Sequence, residues 1–276
     1  MNSHAFKVVL GVLFVFAVPL YAVYTTILQD PQQRGHRHLI DDSALVNNEL
    51  IYETEVFSEP VISVVFDDGW ESIYSSGLPI LEKYGIDTTQ FLLSGTFAEP
   101  QYMSKEQVDH LVERGHDIGS HGDGHLDLPK LSPPILDQEL FTSRVNLESS
   151  FNTPVEDFAS PYGRYNAVTI ANIKKYYRSH RTTQTGMNTE ENFNAYQLES
   201  PSITVNTTLD EIKEMIDEAR AKNAWLILTY HQVDYSNDEY SVTPETFEDH
   251  MKLILESSVD IATYVETLDM IKDQYE

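Results

Sequence analysis

Two aspartates and two histidines are the residues of this chain whose types and spacing best suit metal chemistry. Asp67 and Asp68 follow the apolar run Val61 to Val65, and His121 and His125 lie four residues apart on a glycine-containing stretch further along. One carboxylate and two imidazoles form a three-ligand set that leaves coordination positions open for water, as a catalytic divalent metal site requires. The second carboxylate is then available as a base.

Each of these two motifs has a simpler explanation when it is considered alone. Neighbouring strand residues face opposite ways, so the strand must end for Asp67 and Asp68 to reach one pocket. An Asp-Asp-Gly sequence after a strand is most often a turn, because Asp accepts backbone hydrogen bonds and Gly adopts positive φ. Loop histidines are usually solvated. The two motifs occur in this order, each directly after a predicted strand, and together they nevertheless favour a catalytic site.

Apolar runs alternate with amphipathic ones over most of the chain, which predicts alternating strands and helices. Alternation of this kind implies parallel strands, and barrels of such strands carry their sites at the strand C-terminal ends. The predicted strands are 61–66, 87–93, 117–120, 155–159, 225–230 and 259–263. The predicted helices are 73–84, 104–115, 134–150, 166–176 and 208–223, with one more from 243 and a closing helix after the last strand.

Four segments of the chain, in this order, resemble the successive motifs of the polysaccharide deacetylases, the NodB-homology group or carbohydrate esterase family four. These segments are Val64–Gly69, Gly115–His125, Ser160–Gly163 and Leu228–His231. The resemblance runs from about Pro60 to Ile271. It implies an α/β fold, a distorted (β/α) barrel of about seven parallel strands, and a metal-dependent hydrolase that removes N-acetyl groups from a sugar polymer or glycan.

The resemblance also implies a role for each candidate site residue. Asp67 is the general base that takes a proton from water, and His231 is the acid that protonates the departing sugar amine. The backbone N–H of Tyr162 stabilises the oxyanion. The divalent metal ion, usually zinc, is held by Asp68, His121 and His125.

The sequence departs from the family pattern in two places. Many members carry an Arg two residues before the Pro of the third motif, where it orients the catalytic Asp, but this chain has Ala159 there. Arg164 is close in sequence, yet nothing in the sequence shows that it turns inward. The stretch 178–187 holds no Asp that could orient the acid histidine. These departures bear on the substrate more than on the reaction type.

Two other functions compete with the deacetylase interpretation. One is an amidohydrolase that acts on a non-sugar C–N bond, as some family relatives do. The other is a tethered carbohydrate-binding module with a relict site, which only the missing Arg at position 159 supports. Trp70 and Tyr230 lie near motif ends and are candidates for lining a sugar subsite, because aromatic faces suit the C–H surfaces of sugars.

The N-terminal part of the sequence predicts export of the catalytic domain. Val8 to Leu28 carries no charge and is long enough to cross a bilayer as a helix, so residues 1–29 are predicted to be a membrane anchor or signal segment. Residues 30–58 are predicted to be a polar linker and 59–276 the catalytic domain. The expected location is therefore outside the cytoplasm, either membrane-anchored or secreted.

The charge of the chain limits the partners that it can have. The formal net charge is −26, from 44 acidic and 18 basic residues, which should repel nucleic acid and anionic membrane surfaces. The expected partner is instead an N-acetylated glycan. The absence of cysteine excludes disulfides and thiolate metal ligands. A surface this acidic is either simply solvated or adapted to high salt, where self-repulsion is screened.

Overall fold

The computed structural model describes residues 57–275, which form an α/β fold around a curled parallel sheet. The described strands are β1 (Val61–Asp68), β2 (Thr89–Leu92), β3 (Asp117–Ser120), β4 (Asp157–Ala159), β5 (Ser179–Arg181), β6 (Trp225–Tyr230), β7 (Gln232–Val233), β8 (Ser241–Val242) and β9 (Asp260–Ile261). Every one of their pairings is parallel. This confirms the parallel architecture expected from the alternating pattern.

The main sheet has seven strands, and β1 lies next to the edge strand β6. The order is β5-β4-β3-β2-β1-β6, with β9 also paired to β1. β6 pairs along most of β1, whereas β2 pairs with its second half and β9 with its first two residues. The strand that ends in the two aspartates is therefore fully supported by its neighbours. The prediction of a barrel with about seven parallel strands is confirmed.

A segment outside the regular strands, 198–203, joins the two edge strands of this sheet. The Leu198 N–H donates to the His180 carbonyl of β5 at 3.1 Å, and the Ile203 N–H donates to the Thr229 carbonyl of β6 at 2.8 Å. The Thr229 N–H in turn donates to the Pro201 carbonyl at 3.0 Å. These bonds close the gap between β5 and β6, so the sheet curls into a distorted barrel.

The helices cover the sheet and begin at conventional capping residues. Ser104 and Gln107 form the predicted capping box, and Thr208 and Glu211 form a second one. Gly85 ends the first helix in a left-handed conformation with φ 64°. The described helices are α1 (Leu78–Tyr84), α2 (Lys105–Glu113), α3 (Pro133–Phe151), α4 (Ala167–Ile173), α5 (Leu209–Lys222), α6 (Pro244–Glu256) and α7 (Tyr264–Tyr275).

One strand of the barrel was not predicted. β5 consists of Ser179, His180 and Arg181, a polar triplet with no apolar run, yet all three residues are buried. The polar side chains find partners inside the barrel, so burial here depends on hydrogen bonds and an ion pair rather than on apolar surface. Arg181 of this strand is the partner of Asp67.

The predicted anchor 1–29 and most of the predicted linker 30–58 lie outside the described residues. Within the part of the chain that the structure describes, no helix combines the length and the apolar character needed to cross a membrane.

Candidate active site

The end of β1 turns sharply and sends its two aspartates in different directions. Asp68 has a left-handed backbone, with φ 69°, and Gly69 continues the turn with φ 83°. Asp67 is 2% exposed, inside the barrel, while Asp68 lies at its rim. A left-handed non-glycine residue is uncommon and costs on the order of 1–3 kcal/mol. The strand ends here, as the adjacent pair of carboxylates requires.

Three side chains converge on one point at this rim. The Nε2 atoms of His121 and His125 lie 3.4 Å and 3.3 Å from the same oxygen, Oδ1 of Asp68. The three ligand atoms all lie within 4.8 Å of one another. The structure therefore brings together the three residues that the sequence predicts as metal ligands.

The donor set fits a divalent metal ion. Asp68 Oδ1 is buried and has no hydrogen-bond partner among the described residues, although a carboxylate oxygen seldom stays unpaired in a protein interior. Trp70 Nε1 donates to the other oxygen of Asp68 at 2.9 Å, and Nδ1 of His121 lies 3.0 Å from the Ala159 carbonyl. A proton on that Nδ1 leaves Nε2 as a free lone pair, the arrangement typical of metal-binding histidines.

The loop that carries the two histidines is held by a buried glutamate. Glu139 of α3 accepts hydrogen bonds from the N–H groups of Asp123 and Gly124, at 2.9 Å and 2.8 Å. A Cβ on Gly122, where φ is 90°, would lie 2.9 Å from Glu139 Oε1. Only glycine therefore fits there easily. Sequence reasoning missed Glu139 because it lies in a helix in which most other polar residues face solvent.

Asp67 is paired with an arginine that sequence reasoning also missed. Nη2 of Arg181 donates to Asp67 Oδ1, and both side chains are almost completely buried, at 1% and 2% exposure. Burial alone would raise the pKa of Asp67, but the nearby guanidinium, with His121 and His231, lowers it below its usual value. Asp67 is therefore held as a carboxylate.

His231 faces the other oxygen of Asp67. Its Nε2 lies 3.9 Å from Asp67 Oδ2, and its ring centroid lies 4.9 Å from that of Tyr240. Burial lowers the pKa of His231, while the charges of Asp67 and Asp68 oppose that shift. Its Nδ1 is buried without a hydrogen-bond partner among the described residues, in agreement with the missing orienting Asp.

Tyr162 lies at the open side of the metal triad. It occupies the turn Pro161–Gly163 with a left-handed φ of 59°, and its side chain is 57% exposed. Its ring centroid is 4.4 Å from that of His125. A Cβ on Gly163 would lie 1.9 Å from Thr183 Oγ1, so glycine is required after this tyrosine. The third motif thus presents Tyr162 beside a metal ligand.

Several residues do not lie where the sequence suggested. Tyr230 is 1% exposed and contacts Nδ1 of His250 through its hydroxyl at 3.1 Å, so it lines the core rather than a sugar subsite. His180 and His250, expected on surfaces, are fully buried. Arg164 turns outward and pairs with Asp127. Trp70 remains near the site, where it stacks on Tyr102 with ring centroids 4.8 Å apart.

Comparison with known proteins gives the same family. A sequence model of the family described as "Polysaccharide deacetylase" matches residues 54–178. The protein YxkH of Bacillus subtilis (strain 168), whose name assigns it to the polysaccharide deacetylases, is 30% identical over 130 residues, 47% of this chain and 47% of that protein. The poly-beta-1,6-N-acetyl-D-glucosamine N-deacetylase of Staphylococcus aureus (strain MSSA476) is 28% identical over 133 residues, 43% of this chain and 46% of that protein.

Both matches are partial, so the chain spans about half the length of the curated relatives that it matches. A solved structure extends the similarity to most of the fold. The Xyl-CE4 domain of a multidomain xylanase from the hindgut metagenome of Trinervitermes trinervoides aligns with a TM-score of 0.56, over 78% of this chain and 91% of that domain, at 20% identity. Residues 54–178 are therefore similar in sequence to the polysaccharide deacetylase family, and the described part of the chain shares its fold with this solved domain.

Proposed function

We propose that this protein is a metal-dependent hydrolase that removes N-acetyl groups from an N-acetylated sugar polymer or glycan. The observation that carries the proposal is the convergence of Asp68, His121 and His125 on one point, beside the buried acid–base pair Asp67 and His231. The sequence similarity to the polysaccharide deacetylases supports the reaction. The relative from Staphylococcus aureus, named for a polymer of N-acetylglucosamine, supports the choice of substrate class.

The protein groups supply two proton transfers at the acetamide group. A divalent metal ion, which we propose to be zinc, supplies Lewis-acid chemistry when it is bound by the triad. Water adds to the acetyl carbonyl carbon as Oδ2 of Asp67, the oxygen not bonded to Arg181, takes its proton. The C–N bond then breaks as Nε2 of His231 gives a proton to the nitrogen, which releases acetate and a free amine. A histidine with a lowered pKa is a stronger acid once it is protonated.

The oxyanion and the sugar have separate places around this centre. The backbone N–H of Tyr162 is our proposed donor to the oxyanion, because the Pro161–Gly163 turn brings this residue against His125. Exposed aromatic faces surround the site, with Tyr162 beside His125 and Tyr240 beside His231. Such faces pack well on the C–H surfaces of a pyranose ring.

Three single variants test the proposed roles, with bound metal and acetate release measured on the same samples. Asp68→Asn should weaken metal binding, because a neutral amide is a poorer ligand than a carboxylate. Asp67→Asn should keep its metal and lose on the order of 10²–10⁴-fold in rate. His231→Ala should behave like Asp67→Asn. The substrate is an N-acetylglucosamine oligomer, and the protein is first stripped with a chelator and then reloaded.

The outcomes separate the competing functions. If Asp67→Asn loses metal while Asp68→Asn retains it, the two roles are reversed. Hydrolysis of a non-sugar amide, with no acetate released from any N-acetylated glycan, would identify the amidohydrolase. Glycan binding without hydrolysis at any metal loading would identify a relict site. We also propose that the domain acts outside the cytoplasm, which a protease-accessibility assay on intact cells can test.

A further inference from the structure

The arginine that the third motif lacks has an equivalent on the neighbouring strand. Ala159 and Arg181 are register partners in the parallel pairing of β4 with β5. Residues at the same register of adjacent strands point to the same face of a sheet, and strands lie about 4.8 Å apart. Both residues adjoin Phe91: Ala159 belongs to its buried cluster, and the Arg181 guanidinium lies 4.8 Å from its ring centroid. The guanidinium thus enters the barrel beside the small side chain of Ala159.

The contacts of Arg181 fix both the guanidinium and one oxygen of Asp67. Nη1 donates to the Thr182 carbonyl at 3.2 Å while Nη2 donates to Asp67 Oδ1. The plane of the guanidinium is packed against Phe91. With Oδ1 occupied, Oδ2 is the oxygen that faces Nε2 of His231 at 3.9 Å. Because the carboxylate is bonded on one side only, its orientation depends on this single partner.

We propose that Arg181 is the positioning residue of the base: it holds Asp67 so that Oδ2 faces the reacting water, a task moved from position 159 to the next strand at the same register. The inference rests on the proposed deacetylase function. The carbonyl of the register partner of Arg181, Ala159, lies 3.0 Å from Nδ1 of the metal ligand His121. The two register partners therefore support different parts of the site. The Ala159 carbonyl contacts a metal ligand, and the Arg181 side chain bonds the base.

The test removes the arginine and then returns it to position 159. Arg181→Met keeps much of the volume but no charge, and kcat should fall about 10²-fold, because a misplaced base costs that much. KM and bound metal should stay within twofold. The double variant Ala159→Arg/Arg181→Ala should regain at least tenfold of the lost kcat. Rescue from the other strand is expected of a positioning role and not of a general packing role.

A matched control uses the part-buried Arg178, which pairs with Asp157 at the opposite end of the barrel. Arg178→Met should lower the melting temperature and leave the kcat of the folded protein unchanged. If Arg181→Met does not fold, Arg181→Lys serves in its place. The ammonium of the lysine keeps the charge. It cannot bond Thr182 and Asp67 together as a planar guanidinium does, so kcat should still fall.

Crystal structures of the wild type and of the folded Arg181 variant give a readout that does not depend on the substrate. The Asp67 carboxylate should rotate in the variant, even if no acetate-releasing substrate has been found. An unchanged carboxylate, or kcat within twofold of wild type, would overturn the inference. If the wild type releases no acetate but the carboxylate rotates, the proposed function fails and the positioning role stands.

Discussion

The barrel holds an aspartate–arginine pair at each end, and the two pairs differ in the burial of the arginine and in how completely the carboxylate is bonded. At the lower end, Arg178 Nε lies 3.1 Å from Asp157 Oδ1 and Nη2 lies 3.0 Å from Oδ2, with Ser179 Oγ adding a bond of 2.7 Å. At the upper end, Arg181 bonds only one oxygen of Asp67. Both oxygens of Asp157 are thus occupied, whereas one oxygen of Asp67 is left for chemistry.

Backbone strain and unpaired polar atoms are found at the same upper end. Asp68, His125 and Tyr162 all have positive φ, at 69°, 52° and 59°. Arg181 Nε, Asp68 Oδ1 and His231 Nδ1 are buried without hydrogen-bond partners among the described residues. Features of this kind cost stability and persist at functional sites. The lower pair stabilises the fold, while the upper pair serves the proposed reaction.

The largest effect should come from removing the carboxylate of the fully buried pair at the upper end. In Asp67→Asn, Arg181, which is 1% exposed, loses the charge of its partner, so the free energy of unfolding should fall by about 3–5 kcal/mol, the usual cost of breaking a buried pair. In Asp157→Asn, Arg178 is 26% exposed and keeps its ion pair with Asp269, so the loss should be only about 1–3 kcal/mol. Denaturant melts of both variants measure the contrast, and equal losses would contradict it.

A smaller effect, on metal affinity, is expected from a variant at the upper end alone. Trp70→Phe removes the 2.9 Å bond to Asp68 Oδ2 but keeps an aromatic ring against Tyr102. Metal affinity should fall by about 10–100-fold, as for other groups that orient a ligand. Competition against a chromophoric chelator measures this. Tyr102→Phe, which keeps the stack and the indole bond, is the control, and an unchanged affinity in Trp70→Phe would contradict the orienting role.

Acid should lower the free energy of unfolding through buried histidines that belong to neither aspartate–arginine pair. Burial lowers the pKa of His180 and His250 from 6.5 to about 4. Between these values the unfolded chain binds the proton and the folded protein does not. Stability is therefore complete above about pH 6.5 and falls toward pH 4, by up to about 1.4 kcal/mol per pH unit for each histidine.

Urea melts from pH 4.5 to 7.5 on chelator-treated protein test this dependence. His250→Gln removes one of the buried histidines with a lowered pKa, so the slope of unfolding free energy against pH should become shallower. All other ionisable residues are the same in both proteins, so the comparison isolates His250. A slope that the substitution leaves unchanged would show that His250 is not the group that takes up a proton.

Salt should have the smallest effect and should act on both ends alike. The excess acidic residues that give the net charge of −26 repel one another, and 1 M salt shortens the range of this repulsion to about 3 Å. The melting temperature should rise with sodium chloride, while the stability difference between Asp157→Asn and Asp67→Asn stays constant because both sites are buried. A melting temperature independent of salt would remove the idea of adaptation to high salt.

Much of the fold could be read from the sequence because most strands are apolar runs. β1 and β6 are buried along almost their whole length and contain mainly apolar residues, so their pattern was clear. β5 was missed because Ser179, His180 and Arg181 are polar and are buried only through specific partners. The bridging segment 198–203 was missed because it has no regular pattern of its own.

The metal triad was predictable for a different reason. Asp68 ends β1, and His121 and His125 lie in the loop that follows β3, so local motifs place them at one rim. The partner of Asp67 lies 114 residues away in sequence and depends on the register between β4 and β5. Nothing in a single sequence gives that register. The geometry of the metal ligands was therefore foreseeable, and the residue that holds the base was not.

The position of β1 between β2 and β6 has a consequence for how the chain folds. Its partner β6 begins at Trp225, so the ladder from Val61↔Trp225 to Phe66↔Tyr230 joins segments about 160 residues apart. Contacts this distant in sequence require a large loop to close, which slows folding. A ribosome must therefore finish most of the chain before the strand that carries both aspartates acquires its second neighbour. Until then its apolar edge stays open to aggregation, and a chaperone that covers it should raise the yield of active protein.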